Sequence, residues 1–277
     1  MKTKPAGSIG VFDSGFGGLL VLKDIVRLLP AYDYVYLGDT ARVPYGNRSP
    51  EVVYEFTRQA VDFLFSKGCE LIIIACNTAS AEALRRIQQE HLPETYGRTK
   101  RVLGVVVPAA EEAVAKTENA RVGLIATEGT VNSGAFRKEL IRRKKSIKVF
   151  SQSAPLLVPL IETGEYASEP AKLILKKYLS SLFAKKIDTL ILGCTHYGIL
   201  KREIQKLAGK RVLILSEGTV VARKLREYLL RHPEIDSRLS RHSRRVFYTT
   251  DLTRRFAKLG SRFFGSPVRA IRADLER

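Results

Sequence analysis

The chain has no tryptophan, one methionine and only three cysteines in 277 residues. An odd and sparse cysteine set does not make a disulfide framework. It fits a reducing, cytoplasmic setting in which any sulfur chemistry is that of a thiol. Long apolar runs are also missing. The longest, 71–76 and 105–110, fall far short of the ~18 residues a membrane-spanning helix needs, so no membrane partner is expected. The basic start, MKTKPAGSIGVFDSG, has no continuous apolar segment of the kind a secretory signal requires, so no leader is expected. With 45% hydrophobic residues and only 20 glycines and 11 prolines, collagen-like, low-complexity and disordered chains are excluded. Acidic residues are scarce relative to basic ones.

That scarcity leaves a net charge of +19, concentrated in residues 201–277, which hold 20 basic and 8 acidic side chains. Such an excess attracts nucleic acid, anionic surfaces or acidic metabolites. Its plainest reading is a solvated, solubilising face. The arginine-rich stretch 238–245 lacks the interleaved aromatics of a single-strand stacking platform, and no zinc-finger, RNP or KH pattern occurs.

The length suits one large or two modest domains. Short β-branched runs at 8–12, 34–37, 71–75, 101–107, 122–126, 148–151, 189–192, 212–215 and 246–248 predict strands. Amphipathic stretches at 19–29, 50–67, 79–91, 109–116, 133–144, 170–184 and 219–230 predict helices between many of them. This alternation gives an α/β class with mostly parallel sheets, and near-continuous apolar runs such as LIIIA fit strands covered on both faces.

In such sheets chemistry gathers where a strand ends and the chain turns into a helix. Asp13-Ser14-Gly15, Gly38-Asp39-Thr40 followed by Pro44-Tyr45-Gly46, Cys76-Asn77-Thr78, Thr127-Glu128-Gly129-Thr130 and Gly193-Cys194-Thr195-His196 all stand at such ends. IIIACNTAS and LILGCTHYG echo each other, each an apolar strand, a cysteine and polar capping residues. This weak internal repeat suggests two similar lobes, each presenting one thiol.

A thiol at a helix start lies beside unpaired N–H groups and the positive end of the dipole, which favours its thiolate. The same N–H groups and threonine hydroxyls make a carboxylate site. Two such sites facing each other could hold a small acid between a proton-removing and a proton-delivering sulfur, inverting a carbon centre. His196, two residues beyond Cys194, can exchange protons near neutral pH. Asp13 could assist Cys76 if their strands are neighbours; alone, it reads equally well as a helix cap. Cys69, at a strand start without capping partners, reads as a small buried hydrophobe.

Other chemistries lack their residues. Gly15 and Gly17 begin a dinucleotide fingerprint, but Leu20 stands where its last glycine belongs. There is no Walker A sequence, no H-E-x-x-H and no C-x-x-C, so neither a metal nor a redox pair is suggested.

GVFDSGFGGL, YLGDTARVPYG, IACNTASA, VVVPA, TEGTVNSGAF, LVPLIETG and ILGCTHYGIL, running in order from residue 10 to residue 200, resemble the bacterial glutamate racemase family. VFYTTDLTRRF resembles it more loosely. The resemblance implies a cofactor-independent enzyme interconverting L- and D-glutamate for peptidoglycan synthesis. It implies two pseudo-twofold α/β lobes with the active site in the cleft, assigned here to residues 1–99 plus 216–277 and to residues 100–215. Cys76 and Cys194 would be the catalytic thiols, assisted by Asp13 and His196. Implied substrate contacts are Asp13, Ser14, Tyr45, Gly46, Asn77, Thr78, Thr130, Thr195 and His196, with Glu162 an acidic residue near the second thiol. The family usually has an aspartate where this chain reads Leu215-Ser216-Glu217-Gly218, so no site residue is carried over there. A homodimer stays open, as does DNA as a secondary partner for the basic charge. An aspartate racemase, a nucleic-acid-binding scaffold and a thiol redox protein are the competing readings.

Overall fold

The computed structural model describes residues 7–97 and 99–275; the basic residues 1–6 considered above lie outside them. The chain first lays down β1 (Ser8–Asp13), β2 (Tyr34–Gly38), β3 (Cys69–Ile74) and β4 (Arg101–Gly104). It continues through β5 (Arg121–Ala126), β6 (Lys148–Ser153), β7 (Thr189–Gly193) and β8 (Leu213–Leu215), and closes with β9 (Arg245–Thr249) and β10 (Ala270–Arg272). Two sheets result, ordered β10-β9-β2-β1-β3-β4 and β6-β5-β7-β8, and every pairing within them is parallel. The expected α/β class with two parallel sheets is the observed one.

Sequence patterning explains the central strands. β3 is buried along its whole length, and so are five of the six residues of β1. Only a sheet with helices on both faces hides alternate side chains equally. Helix Gly18–Leu28 connects β1 to β2, and helix Pro50–Ser66 precedes β3 on the other side of β1. The second of these starts at Ser49, whose side chain accepts a hydrogen bond from Val52 N, with proline in the first turn.

Strand order reverses at β1/β3 in one sheet and at β5/β7 in the other. Such switch points open a crevice beyond the carboxyl ends of the strands. Cys76 follows β3 and Cys194 follows β7, so each sheet delivers its cysteine to its own crevice. One apolar cluster runs through both lobes, from Ile9 and Val11 to Leu190 and Leu192. Helix Glu217–Arg231 packs against helices Gly18–Leu28 and Val106–Lys116 and ties the halves together.

Several boundaries differ from expectation. The run 101–107 is not one strand: β4 ends at Gly104 and helix Val106–Lys116 follows. Pro108 is tolerated in that helix because the first-turn N–H groups need no intrahelical partner. β4 pairs with β3, Ile74 opposite Gly104, so residues 101–104 belong to the six-stranded sheet. The expected helix 79–91 begins at Asn77 and is broken into Asn77–Glu82, Leu84–Arg86, a π turn at Ile87–His91 and Leu92–Tyr96. Helices Leu157–Thr163, Lys201–Ala208 and Arg254–Phe264, and the edge strand β10, were not expected. Among the described residues, no helix is long and apolar enough to cross a membrane.

Candidate active site

Cys76 is the N-cap residue of helix Asn77–Glu82, and Cys194 precedes the 3-10 turn Thr195–Leu200. Although 118 positions separate them, both line one small cavity of about 20 Å³. Ser14, Tyr45, Gly46, Asn77, Thr78, Thr195 and His196 line it as well, as do Val43, Pro44, Thr127 and Val158. A water needs about 10–15 Å³, so this cavity has room for one water and must widen to take an amino acid. A hollow of about 630 Å³ near Arg85 and Lys138 is far larger but touches neither thiol.

Three implied residues stand just behind the cavity wall. Thr130 is hydrogen-bonded to Thr127 at 2.9 Å, and its hydroxyl lies 3.2 Å from that of Thr78. Thr78 and Thr127 are 2.9 Å apart, so a hydroxyl cluster spans the lobes. Glu162 Oε1 lies 3.0 Å from His196 Nε2. Asp13 Oδ1 accepts from the Thr195 hydroxyl at 3.0 Å, and its Oδ2 accepts from Gly15 N at 3.1 Å. The strand carrying Asp13 does lie beside the one leading to Cys76, with Phe12 opposite Ile74. Even so, the hydrogen bonds of this carboxylate go to Gly15 and to the Cys194 turn.

The two sulfurs have different surroundings. Cys76 Sγ is 3.4 Å from the Ser14 hydroxyl. Burial pushes this thiol up to about 12, and the Asp13 charge adds to the effect against the Ala79 N–H and Ser14. Desolvation thus overrides the expected thiolate at this helix start, where a six-residue helix offers a weak dipole. Cys194 Sγ lies 3.8 Å from His196 Nδ1. Burial by itself lowers the imidazole, but its bonds to Cys194 and Glu162 outweigh this and hold it well above the ordinary histidine value. The imidazole stands between a sulfur and a carboxylate, with Phe16 packed edge-on against its ring.

Supporting shells fix the remaining groups. The Tyr45 hydroxyl donates to Asp39, which also accepts from Arg42 Nε at 2.7 Å and the Thr250 hydroxyl at 2.8 Å. Gly46 is required where it stands, since a Cβ there would meet Thr127 Cβ at 2.5 Å across the cleft. Sequence reasoning missed Thr127 as a lining residue, although it caps helix Glu128–Asn132 just as a strand-end threonine does. It also missed Glu217, a buried carboxyl that accepts from Asn77 Nδ2 at 2.8 Å. Among the described residues, no group of three or more His, Cys, Asp or Glu could hold a metal ion.

A family model described as Asp/Glu/Hydantoin racemase matches residues 9–222. A glutamate racemase of Geobacter metallireducens is 42% identical over 265 residues, covering 95% of either chain. One from Aquifex aeolicus is 44% identical over 80% of this chain and 83% of its own. The glutamate racemase of Francisella tularensis, solved in complex with D-glutamate, superposes with a TM-score of 0.87 at 32% identity, covering 98% of both chains.

Proposed function

The chain belongs to the Asp/Glu/Hydantoin racemase family, and from that premise we propose that it interconverts L- and D-glutamate by passing the α-proton between two thiols, without a cofactor. The observation carrying this reading is that Cys76 and Cys194, delivered by separate sheets, line the same small cavity. The Francisella relative bound to D-glutamate supports the choice of substrate.

In one direction Cys194 takes the α-proton while the Cys76 S–H delivers its own proton to the opposite face of the carbon. The enzyme is left with a Cys194 thiol and a Cys76 thiolate, which is the starting form for the reverse reaction. His196 supplies a proton donor beside Cys194, and Ser14 a hydroxyl beside Cys76. Charge grows on the α-carboxylate as the proton leaves. The N–H groups at the starts of the Asn77–Glu82 and Thr195–Leu200 turns, with the Thr78, Thr127 and Thr195 hydroxyls, are preorganised to meet it. Closure around the substrate excludes water and strengthens those donors. The product would be the D-glutamate used in peptidoglycan synthesis, made in the cytoplasm, where all three cysteines stay free as they are here.

Following L-Glu, D-Glu, L-Asp and D-Asp by circular dichroism tests the proposal. Both glutamate enantiomers are expected to racemise, with aspartate inert. Turnover of aspartate alone, or of neither acid, overturns it.

A further inference from the structure

Asn77 and Glu217 are 140 positions apart, yet both are buried and joined by the bond from Asn77 Nδ2 to Glu217 Oε2. Asn77 lines the reaction cavity next to Cys76. Glu217 stands behind it, in the wall of a separate hollow of about 210 Å³ that also reaches Cys194 and Thr195. Two buried oxygens of this pair, Asn77 Oδ1 and Glu217 Oε1, have no hydrogen-bond partner. A buried polar atom without a partner costs free energy unless something that binds later satisfies it.

A side-chain amide can present either its oxygen or its nitrogen to a cavity, and the two faces suit opposite charges. Here Glu217 holds the nitrogen, which leaves Oδ1 as the group Asn77 offers to an incoming molecule. An acceptor suits an ammonium and disfavours a carboxylate. A substrate with one ammonium and two carboxylates is then admitted in one orientation. We propose that Glu217 is a positioning residue that fixes the Asn77 amide with its oxygen toward the ammonium of the amino-acid substrate. This role rests on the racemase reading only for the identity of the substrate. Burial holds the Glu217 carboxyl well above the usual range, against the lowering effect of Asn77, and glutamine is its near-isostere.

The first test needs no substrate. The Asn77 side-chain amide protons are expected to exchange slowly with solvent in the wild-type protein, measured by NMR; fast exchange overturns the proposal. Activity then tests the coupling. Glu217→Leu keeps the wall filled but cannot accept a hydrogen bond, and is expected to lower kcat/KM about 30-fold through a misplaced contact, with Glu217→Gln restoring it to within about threefold of wild type. In an Asn77→Ala background, Glu217→Leu is expected to add less than about twofold, because its effect runs through that amide. A fully additive loss, a Glu217→Gln as impaired as Glu217→Leu, or a Glu217→Leu with wild-type kcat/KM overturns the assignment. Wild-type turnover of glutamate decides the racemase reading separately from all of these comparisons.

Discussion

Gly17 lies where the first lobe touches the Cys194 turn of the second. A Cβ added there would stand 2.4 Å from Thr195 Oγ1, 2.7 Å from His196 N and 2.8 Å from His196 Nδ1. Real side chains keep about 3.4 Å from such atoms, so Gly17→Ala forces that turn back by about 1 Å. The turn cannot yield freely, since its threonine is bonded to Asp13 and its histidine is held by Glu162. A displacement of about 1 Å at a group that orients reacting atoms costs roughly 10²-fold, or about 2.7 kcal/mol in kcat/KM. Overpacking costs about 1–3 kcal/mol of stability, a fall of a few degrees in Tm for a chain of this size. Initial rates from both enantiomers, read by circular dichroism beside a thermal melt, measure the two effects together. Gly209→Ala is the control: its φ of +66° strains any side chain, but nothing lies within 4 Å, so it should lose about 1 kcal/mol of stability and no activity. A Gly17→Ala protein turning over within threefold of wild type would refute the claim that this close approach positions Cys194.

Cys76→Ser and Cys194→Ser are each expected to cut racemisation by more than about 10³-fold, since each reaction direction uses both sulfurs, while Tm moves only a few degrees; rate and melt check this. Glu162→Gln removes one of the partners that raise the His196 imidazole, so it titrates at lower pH and the alkaline limb of the rate profile should move to lower pH. Asp33 supports the 240–244 turn: although burial raises its carboxyl, bonds from Arg244 N, Ser240 and His242 bring it down to about 2. Its stabilising contribution is therefore full above about pH 4 and lost as pH falls toward about 2. Asp33→Ala should lower stability by on the order of 2 kcal/mol at pH 7 and flatten that acid limb in pH-dependent melts.

The fold class was legible because buried parallel strands are apolar on both faces, and LIIIA and TLILG leave little else to choose. Strand-end cysteines with threonine neighbours marked both thiols for the same reason. The reading failed where local pattern and tertiary context part. VVVPA has strand composition, yet a proline in a first helical turn lets Val106–Lys116 form. Helix Arg254–Phe264 carries Phe256, Leu259, Gly260 and Phe263 on one buried face, but the arginines between them read as a charged surface stretch. Glu217 was passed over because the stretch Leu215-Ser216-Glu217-Gly218 departs from the family's usual aspartate, so no site residue was carried over there. Only the fold brings Asn77 against it. At Cys76 a helix start is visible in sequence, while its desolvation and the nearby Asp13 charge are not.

The central claim, that separate thiols serve opposite faces of one carbon, is tested most directly by racemising L-glutamate in D₂O and following both enantiomers by proton NMR at early times. A thiol equilibrated with solvent delivers deuterium, so the first D-glutamate formed should carry deuterium at the α-carbon while the remaining L-glutamate is still protiated. D-glutamate that keeps the original proton would mean that a single group carries it across, and would contradict the account.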